Sequence, residues 1–493
     1  MFSLESAIAH EAFVRVVDAF VDAIDLASFG FNHVECEEEG RPPYHPAVLL
    51  KLYLYGYRYG IRTTRKLERE AQTNIEAMWL LSGLKPKYKT IADFRKNHAK
   101  AFREVFRRFV SLLREWDLVE GETVVIDSFK IRGSNSLKNN FNEKKLKQHL
   151  EYIESQIKEY EAQLDANDIE DDKKELEKKI TERREKQSKY EQIQKELESS
   201  GEEQISLTDP DSRSVILHKN IINVGYNIQA SSDAKHKLLI EFDTGDVNDT
   251  HALSSMAIQT KELLGVGSMN VLADKGYHTG AELAGCQEND ITTYVSPKAP
   301  STKDEGLYPI TSFEYNAKND IYLCPQGNAM HTNGTWHTHS DNRRNGKGAY
   351  RFQRYTTSAC KSCKARSLCT KSNTNGRYID RSEYAEVIEA NARRVENNPG
   401  YYRQRQQITE HPFGTLKRQR GFTFTLVRKK ENVLGEVGLM FIGYNLGRCV
   451  SILGVEKLIK ALKGCCLIIK TMQKWLILSL FRPSEIHTLK IVC

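Results

Sequence analysis

Three carboxylates in this chain of 493 residues stand out by their surroundings, and two of them follow apolar runs, where an acid is costly unless it has a partner. Asp127 closes the apolar run of "VVID", and Asp274 closes that of "VLAD". Both runs predict short buried strands that end in a carboxylate. Glu410 is the sole acid of the basic stretch 402–430. Two such acids in one sheet, with a third on a helix against it, could share a divalent metal ion. Taken singly, they could equally cap helices, form loops or make salt bridges.

The stretch around Glu410 has the local charge that a polyanion-binding face needs. Its cations are Arg403, Arg405, Lys417, Arg418, Arg420, Arg428, Lys429 and Lys430. A long helix is predicted over about 402–417, in which Lys417 lies two turns beyond Glu410 and on the same face. The alternative interpretation is an ordinary solvated helix face.

The elements that would position these acids are strands alternating with helices. Predicted strands cover 121–129, 220–231, 236–245, 269–274 and 291–295, with helices at about 249–264 and from 278. This order predicts a mixed sheet covered by helices, hence an α/β fold. Asp243, Asp246 and Asp249 are spaced like calcium-loop acids but lack the glycine and terminal glutamate of such a loop, so a turn is expected.

Between the first and second predicted strands, residues 143–200 have a different pattern. Leu146, Leu150, Ile153, Ile157, Tyr160 and Leu164 form a heptad seam, and Leu176, Ile180, Tyr190 and Leu197 form a weaker one. The polar break at 165–172 favours an antiparallel coiled-coil hairpin. A coiled coil between two chains is the competing interpretation.

Residues 1–115 are predicted to be helical and rich in arginine. One apolar helix leads to Arg62, Arg65 and Lys66, and a second basic helix covers 90–110. Several short basic helices are typical of a helix-turn-helix-like DNA-binding module, but also of a helical bundle with a cationic surface.

Four of the ten cysteines cluster in the polar segment 296–400: Cys324, Cys360, Cys363 and Cys369. Two turns of this kind resemble the knuckles that hold tetrahedral Zn²⁺, which predicts a structural zinc site. Free thiols, or a ligand from His331, His337 or His339, are the alternatives. Cys465 and Cys466 are expected to be core residues.

Composition indicates a cytoplasmic protein. The chain is 40% hydrophobic and 28% charged, with a net charge of +7. Charged residues interrupt the first apolar positions, so no signal peptide is expected. The apolar region 449–481 is broken by charges, so no membrane span is expected either. Dispersed cysteines make disulfides unlikely in such a compartment.

Three motifs carry a family resemblance: "VVIDSFKIRGSNS", "VLADKGYHTG" and "YRQRQQITEHPFGTLKR". They resemble the DDE transposases of bacterial insertion sequences, most closely the IS1182-like group within the IS4/IS5 assemblage. "GYNIQ" at 225–229, "TDPDSR" at 208–213 and "MFIGYNLGR" at 440–448 also look like landmarks of that family. The resemblance covers almost the whole chain and keeps the order of the motifs.

The resemblance implies an RNase H-like core in which Asp127, Asp274 and Glu410 are catalytic and bind two Mg²⁺ (or Mn²⁺) ions. The related IS4 signature, Tyr-x2-Arg-x3-Glu-x6-Lys, assigns DNA contacts to Tyr402, Arg405 and Lys417, with Arg418 beside them. Four residues rather than three separate Arg405 from Glu410, so the match at Arg405 is weaker. In the N-terminal helices, Arg62, Arg65 and Lys66 are the expected DNA contacts.

The predicted domain organisation follows from these features. It comprises a helical DNA-binding domain (1–115), an RNase H-like core (120–136, 206–298 and the C-terminal helices 401–455), an inserted coiled-coil hairpin (137–205), an inserted Cys-rich, zinc-ribbon-like module (299–400) and a tail (456–493).

The function implied is that of a transposase, a nucleoid-associated enzyme that binds the terminal inverted repeats of its element. It would cut and join double-stranded DNA as a homodimer or larger synaptic complex, without a membrane. The alternatives are a nuclease on the same fold that does not act in transposition, and a DNA-binding regulator derived from a transposase.

Overall fold

The computed structural model describes residues 3–34, 43–166, 169–218, 221–298, 306–340, 348–372 and 374–464. The protein is a mixed α/β structure that divides into two compact units. The first unit comprises Met1–Glu120, Ser232–Glu241 and Glu410–Cys493, and the second comprises Gly121–Ser231 and Phe242–Thr409. The expectations for Cys465, Cys466 and most of the tail lie outside the described residues.

The first seven helices precede the first strand, and the other helices lie among and after the strands. They are α1 (Leu4–Ala7), α2 (Phe13–Asp22), α3 (Pro46–Arg58), α4 (Thr64–Thr73), α5 (Ile75–Leu80), α6 (Tyr88–Asn97), α7 (Ala99–Glu115), α8 (Glu143–Asp165), α9 (Glu170–Ser200), α10 (Leu253–Leu264), α11 (Gly280–Glu288), α12 (Ala385–Asn397), α13 (Pro399–Gly414), α14 (Lys430–Leu453) and α15 (Val455–Gly464).

The strands form a large sheet, a second sheet and a short pair. They are β1 (Thr123–Arg132), β2 (Asn140–Asn142), β3 (Gln204–Ser206), β4 (Arg213–His218), β5 (Ile221–Asp233), β6 (Leu239–Gly245), β7 (Met269–Ala273), β8 (Ile291–Val295), β9 (Glu314–Asn316), β10 (Ile321–Leu323), β11 (Ala329–His339), β12 (Tyr350–Thr356) and β13 (Ile379–Ser382). The large sheet has the order β4-β5-β1-β7-β8, with β6 also paired to β5.

The large sheet is mixed, as the sequence predicts. Strand β4 runs antiparallel to β5, whereas β1, β7 and β8 run parallel to one another. Val124, Val125 and Ile126 on β1 are fully buried, as are Val271 and Leu272 on β7. Runs of apolar and mainly β-branched residues are expected of parallel strands that are covered on both faces.

The helical part of the first unit is organised around α14, which packs against α3 and α7. Almost every residue of α14 from Val433 to Leu446 is buried, so the helix is apolar all round. Its buried polar side chains include Glu436 and Asn445. The Asn445 side chain accepts from the amide of Leu239 at 3.0 Å and donates to the carbonyl of Leu239 at 2.8 Å. This pair of bonds ties α14 to the start of β6.

Two fully buried glutamates in the first unit are matched by arginines. Glu436 on α14 lies 3.0 Å from Arg62. Glu241 lies 3.4 Å from Arg103 and 3.2 Å from Arg107, both on α7. A buried carboxylate without such partners would be strongly destabilising. These arginines therefore serve the fold of this unit.

In the second unit, α8 and α9 pack against each other through two apolar clusters. One cluster contains Ile153, Ile157 and Ile180. The other contains Phe141, Leu146, Ile193 and Leu197. Residues of the predicted seam on α8 thus contact residues of α9 in the same chain.

The second sheet has the order β13-β12-β11-β10-β9. It has a small core of its own, built from Phe313, Tyr322, Met330, Tyr355, Cys369 and Ile379.

No single helix among the described residues is long and apolar enough to cross a membrane. Helices α14 and α15 meet the length and composition criteria only as a pair, and the pair is bent by 113°.

Candidate active site

Asp127 and Asp274 lie side by side at one edge of the large sheet. In the parallel pairing of β1 with β7, Val125 lies opposite Leu272, an offset of 147 residues. Asp127 follows these paired residues on β1 and Asp274 comes directly after β7, and the negative charge of Asp274 acts on Asp127. Neighbouring strands are about 4.8 Å apart. The two acids, called the acidic pair below, are therefore neighbours although they are distant in the sequence.

The loop after β7 fixes Asp274 through its own backbone. The Asp274 side chain caps the short turn Lys275–Tyr277 by accepting from the amide of Gly276 at 2.7 Å. A Cβ at position 276 would lie 2.9 Å from Asp274 Oδ1 and 3.6 Å from Asp249 Oδ2. Glycine is therefore needed at 276, and Asp249 faces the same loop.

Asp249 is held by two amide side chains from strand β5. Its Oδ1 accepts from Asn227 Nδ2 at 2.8 Å and from Gln229 Nε2 at 2.7 Å. Gln229 in turn accepts from the hydroxyl of Tyr277. Asn227, Gln229 and Tyr277 are all buried. The amide side chains of β5 therefore hold Asp249 and Tyr277, and Tyr277 belongs to the turn that follows Asp274.

Three acids lie close enough to Tyr277 to change the pKa of its hydroxyl. Burial raises its pKa well above the usual value, and the negative charges of Asp249, Asp127 and Asp274 raise it further. Sequence reasoning interpreted Asp249 only as part of a turn and did not assign roles to Asn227 or Gln229. The signal that could have found them is the alternation of amide side chains within a strand of otherwise apolar residues.

The surroundings of Asp127 disfavour the ionised form of its carboxyl group. Burial, aided by the charge of Asp274, raises its pKa to about 6. The amide of Ser128, which donates to Asp127 Oδ1 at 2.8 Å, and the Arg405 guanidinium oppose this shift. Arg405 Nη1 lies 3.3 Å from Asp127 Oδ2, and the two side chains are 17% and 22% exposed. The site therefore attracts positive charge.

Helix α13 is joined to the strand ends by two tyrosines. Tyr402 donates to the carbonyl of Ala273 at 3.2 Å, directly before Asp274. The hydroxyl of Tyr401 lies 2.7 Å from that of Thr123 on β1. Tyr402 was predicted either to contact DNA or to be a structural tyrosine, and its bond to the Ala273 carbonyl supports the structural role.

Glu410 is exposed on α13 and begins the last segment of the first unit. The helix predicted at about 402–417 is present, but its geometry changes: α13 ends at Gly414, and Thr415–Gln419 continue it as a π-helical turn. Pro412 inside the helix removes one backbone donor, which favours such an irregularity. That Lys417 lies on the same helix face as Glu410 remains a prediction. Arg418 is exposed in the same turn.

Of the residues predicted to contact DNA in the N-terminal helices, Arg62 does not fit the prediction, because it is buried. It is 5% exposed and its guanidinium is occupied by Glu436 at 3.0 Å and by the carbonyl of Gly421 at 3.3 Å. A cation engaged in this way serves the fold rather than a phosphate. Arg65 and Lys66, at the start of α4, are exposed.

The four clustered cysteines, called the thiol cluster below, line one cavity beside the second sheet. Burial raises the pKa of the Cys369 thiol, and the other three thiols raise it further. Of the alternative ligands, His339 stacks on Tyr350 with ring centroids 4.8 Å apart, and His337 lies 5.5 Å from Phe352. Across the described ranges, no three Cys, His, Asp or Glu side chains form a metal-binding arrangement.

Comparisons with known proteins identify transposase domains at both ends of the chain. Residues 2–97 match the family model described as Transposase domain (DUF772), and residues 323–450 match Transposase DDE domain. These matches identify transposase domains in this chain, and the acidic pair is compatible with the chemistry of that class. They support the assignment of the chain to the DDE transposases of insertion sequences, as its motifs predict.

A comparison with the sequences of curated proteins gives no significant match. Among solved structures, a cryo-EM structure of the piggyBac transposase synaptic complex with hairpin DNA aligns with 94% of this chain and 82% of that chain. The identity is 10% and the TM-score 0.34, a level that does not establish a common fold.

Proposed function

We propose that this transposase binds the terminal inverted repeats of its insertion sequence and catalyses metal-dependent DNA strand cleavage and strand transfer in an RNase H-like core. The observation that carries the proposal is the acidic pair, Asp127 beside Asp274 on adjacent parallel strands. Strand β1 lies inside a mixed sheet, flanked by β5 and β7, and this arrangement supports the RNase H-like assignment.

The proposed metal ligands are Asp127, Asp274 and Glu410, which would hold two Mg²⁺ or Mn²⁺ ions. Carboxylate oxygens are the donors that such hard cations prefer. Two observations support a cation here: the raised pKa of Asp127, and the Arg405 guanidinium 3.3 Å away, which supplies positive charge at the same oxygen. Bound ions would activate the attacking water or 3′-hydroxyl and stabilise the leaving oxygen. Glu410 is included among the proposed ligands because the family motif assigns the third catalytic acid to this position.

The remaining residues position these ligands and the DNA. Arg405 favours the ionised form of Asp127, and the Gly276 amide holds Asp274 in one orientation. Lys417 and Arg418 are proposed contacts for the phosphates of the DNA backbone. Positions fixed before the substrate arrives lower the entropic cost of reaching the reactive geometry.

The proposed contacts with the inverted repeats are in the N-terminal helices, where Arg65 and Lys66 are exposed. Since two element ends must be brought together for transposition, the active form is proposed to be a homodimer or a larger synaptic complex.

The test uses purified protein, Mg²⁺ and labelled DNA from the two ends of the element. Wild type should nick and join these ends, whereas Asp274→Asn should bind them equally well and fail to cleave. Asp171→Asn, on a side chain that is 97% exposed on α9, is the matched control and should cleave normally. Normal cleavage by Asp274→Asn would refute the assignment. Binding and cleavage of unrelated DNA to the same extent would favour the nuclease alternative.

The thiol cluster is proposed to hold a structural Zn²⁺ ion through Cys324, Cys360, Cys363 and Cys369. Its support is that all four thiols line one cavity and that the other three act electrostatically on Cys369. Thiolate sulfurs are preferred ligands of zinc. Elemental analysis should find about one zinc ion per wild-type chain and less in Cys360→Ser. The control is Cys286→Ser, at a buried thiol on α11. Equal zinc in Cys360→Ser and wild type would contradict the proposal.

A further inference from the structure

Two guanidinium groups of the first unit share a small space beside α14. Arg58 is the last residue of α3, and Arg420 follows the π-helical turn. A Cβ built on Gly447 would lie 3.2 Å from Arg58 Nε and 3.4 Å from Arg420 Nη2. Both groups therefore contact the same glycine. We call them the guanidinium pair.

The pair has donors without acceptors. Arg420 is only 7% exposed, yet its Nε and Nη1 atoms have no hydrogen-bond partner, and neither has the buried Nε of Arg58. The Arg420 Nη2 atom donates to the carbonyl of Gly443 at 3.3 Å. Within the described part of the chain, no carboxylate forms an ion pair with either arginine. Buried donors of this kind normally find a partner.

Aromatic rings cover the faces of the two guanidinium groups. The Arg58 guanidinium lies 5.1 Å from the ring centroid of Phe13 and 5.9 Å from that of Tyr59. The Arg420 guanidinium lies 5.9 Å from the ring of Tyr444. Rings stabilise the positive charge, but they do not accept the N–H groups, which point outward in the guanidinium plane.

The electrostatic cost is visible in Arg420. Burial and the neighbouring Arg58 charge lower its pKa to about 10. Elsewhere in the same unit, buried arginines meet a glutamate, as Arg62 meets Glu436 at 3.0 Å. The guanidinium pair is therefore an exception to the way in which this unit neutralises buried charge.

We propose that Arg58 and Arg420 form a binding site for a phosphate oxyanion. A water molecule could accept their hydrogen bonds but would not neutralise two positive charges. A phosphate group has several acceptor oxygens in a geometry that guanidinium forks match, and it carries the required negative charge. Gly443 and Gly447 leave no side chain between the pair and α14. Arg58, which is partly exposed, would be the first to meet the ligand.

The phosphate could belong to the DNA backbone or to a free anion. The DNA assignment rests on the proposed function, whereas the oxyanion site itself does not. A DNA phosphate here would add a sequence-independent contact that sets the orientation of the first unit on the duplex.

The first experiment measures thermal unfolding of the full chain in phosphate and in chloride at equal ionic strength. Wild type should gain about 3 °C at phosphate concentrations well above its dissociation constant. Arg58→Gln and Arg420→Gln should lose this gain, and Arg58→Gln should be no less stable than wild type in chloride because like-charge repulsion is relieved. Lys100→Gln, at a cation whose side chain is 82% exposed, should keep the gain. An equal gain in wild type and in Arg58→Gln would overturn the proposal.

The second experiment identifies the source of the phosphate. If the DNA backbone occupies the site, Arg58→Gln should weaken binding to duplexes of any sequence and lower the salt dependence of binding by about one charge. Unchanged DNA binding together with a lost phosphate gain would assign the site to a free oxyanion. Arg58→Lys and Arg420→Lys keep the charge and should retain part of the gain, which separates ligand binding from a folding defect. A failure of Mg²⁺-dependent cleavage would affect the proposed function but neither of these readouts.

Discussion

Replacing Asp127 with asparagine should stabilise the metal-free protein at neutral pH. Asparagine keeps the shape and the acceptor for the Ser128 amide but removes a negative charge that is buried beside Asp274. The carboxyl is 22% exposed on its side chain, and its pKa is raised from 3.8 to about 6. A group that resists ionisation in the folded state costs free energy once it is ionised.

The sign and the size of the expected change in stability follow from the difference in the pKa of Asp127 between the folded and the unfolded chain. Below pH 3.8 the carboxyl is protonated in both the folded and the unfolded chain, so it contributes nothing to the difference. Between pH 3.8 and about 6 the unfolded chain releases its proton first, and the folded state loses stability as the pH rises. Above pH 6 the full cost applies, at most about 3 kcal/mol at about 1.4 kcal/mol per pH unit. This limit already includes the opposing charge of Arg405, and the expected gain is about 1–3 kcal/mol.

The assay is urea unfolding with EDTA at several pH values between 4.5 and 8. The difference in free energy of unfolding between Asp127→Asn and wild type should grow up to about pH 6 and then stay constant. Asp171→Asn should show no such difference, because that side chain is 97% exposed. A variant that is less stable than wild type at pH 8, or a gain independent of pH, would refute the electrostatic reasoning.

Three further substitutions test the packing around these sites, each by chemical denaturation. Glu436→Ala should lose about 3–5 kcal/mol, because it leaves the buried Arg62 without its carboxylate; a loss below 1 kcal/mol would contradict this role. Asn391→Ala should lose about 2–3 kcal/mol, since Asn391 bonds both the amide and the carbonyl of Val295, and the exposed Asn398→Ala is its control. Gly225→Ala should lose at least 1–3 kcal/mol because its Cβ would lie 2.1 Å from a backbone oxygen of β1, and normal stability would show that the strands can separate there.

The acidic pair could be predicted because its signal is local. Each acid directly follows an apolar run that is typical of a strand, although β1 continues past Asp127 to Arg132 instead of ending at the carboxylate. The mixed sheet followed in the same way from the order of strands and helices. In contrast, the role of Asp249 depends on side chains of β5, which meet it only after the sheet has assembled.

The sequence could not predict which arginines are buried and which are exposed. Arg62 and Arg65 are three residues apart in a basic segment, yet Arg62 is buried against Glu436 and Arg65 is exposed. The partner of Arg62 lies more than 370 residues away along the chain. The π-helical turn at Thr415–Gln419 could not be predicted either, because periodicity assumes an uninterrupted α-helix.

Buried charge separates the parts of this protein that maintain the fold from those that await a ligand. Glu241 and Glu436 are neutralised by arginines of the same unit, so their cost is already offset in the free protein. Asp127 is neutralised only in part, and the guanidinium pair has no carboxylate partner in the described residues. Each unmatched group would be relieved by a ligand of opposite charge, a divalent cation at the acidic pair and a phosphate oxyanion at the guanidinium pair. These are the two kinds of charge that a complex of DNA and metal brings together, so the same electrostatic strain that weakens the free protein would favour assembly with its substrate.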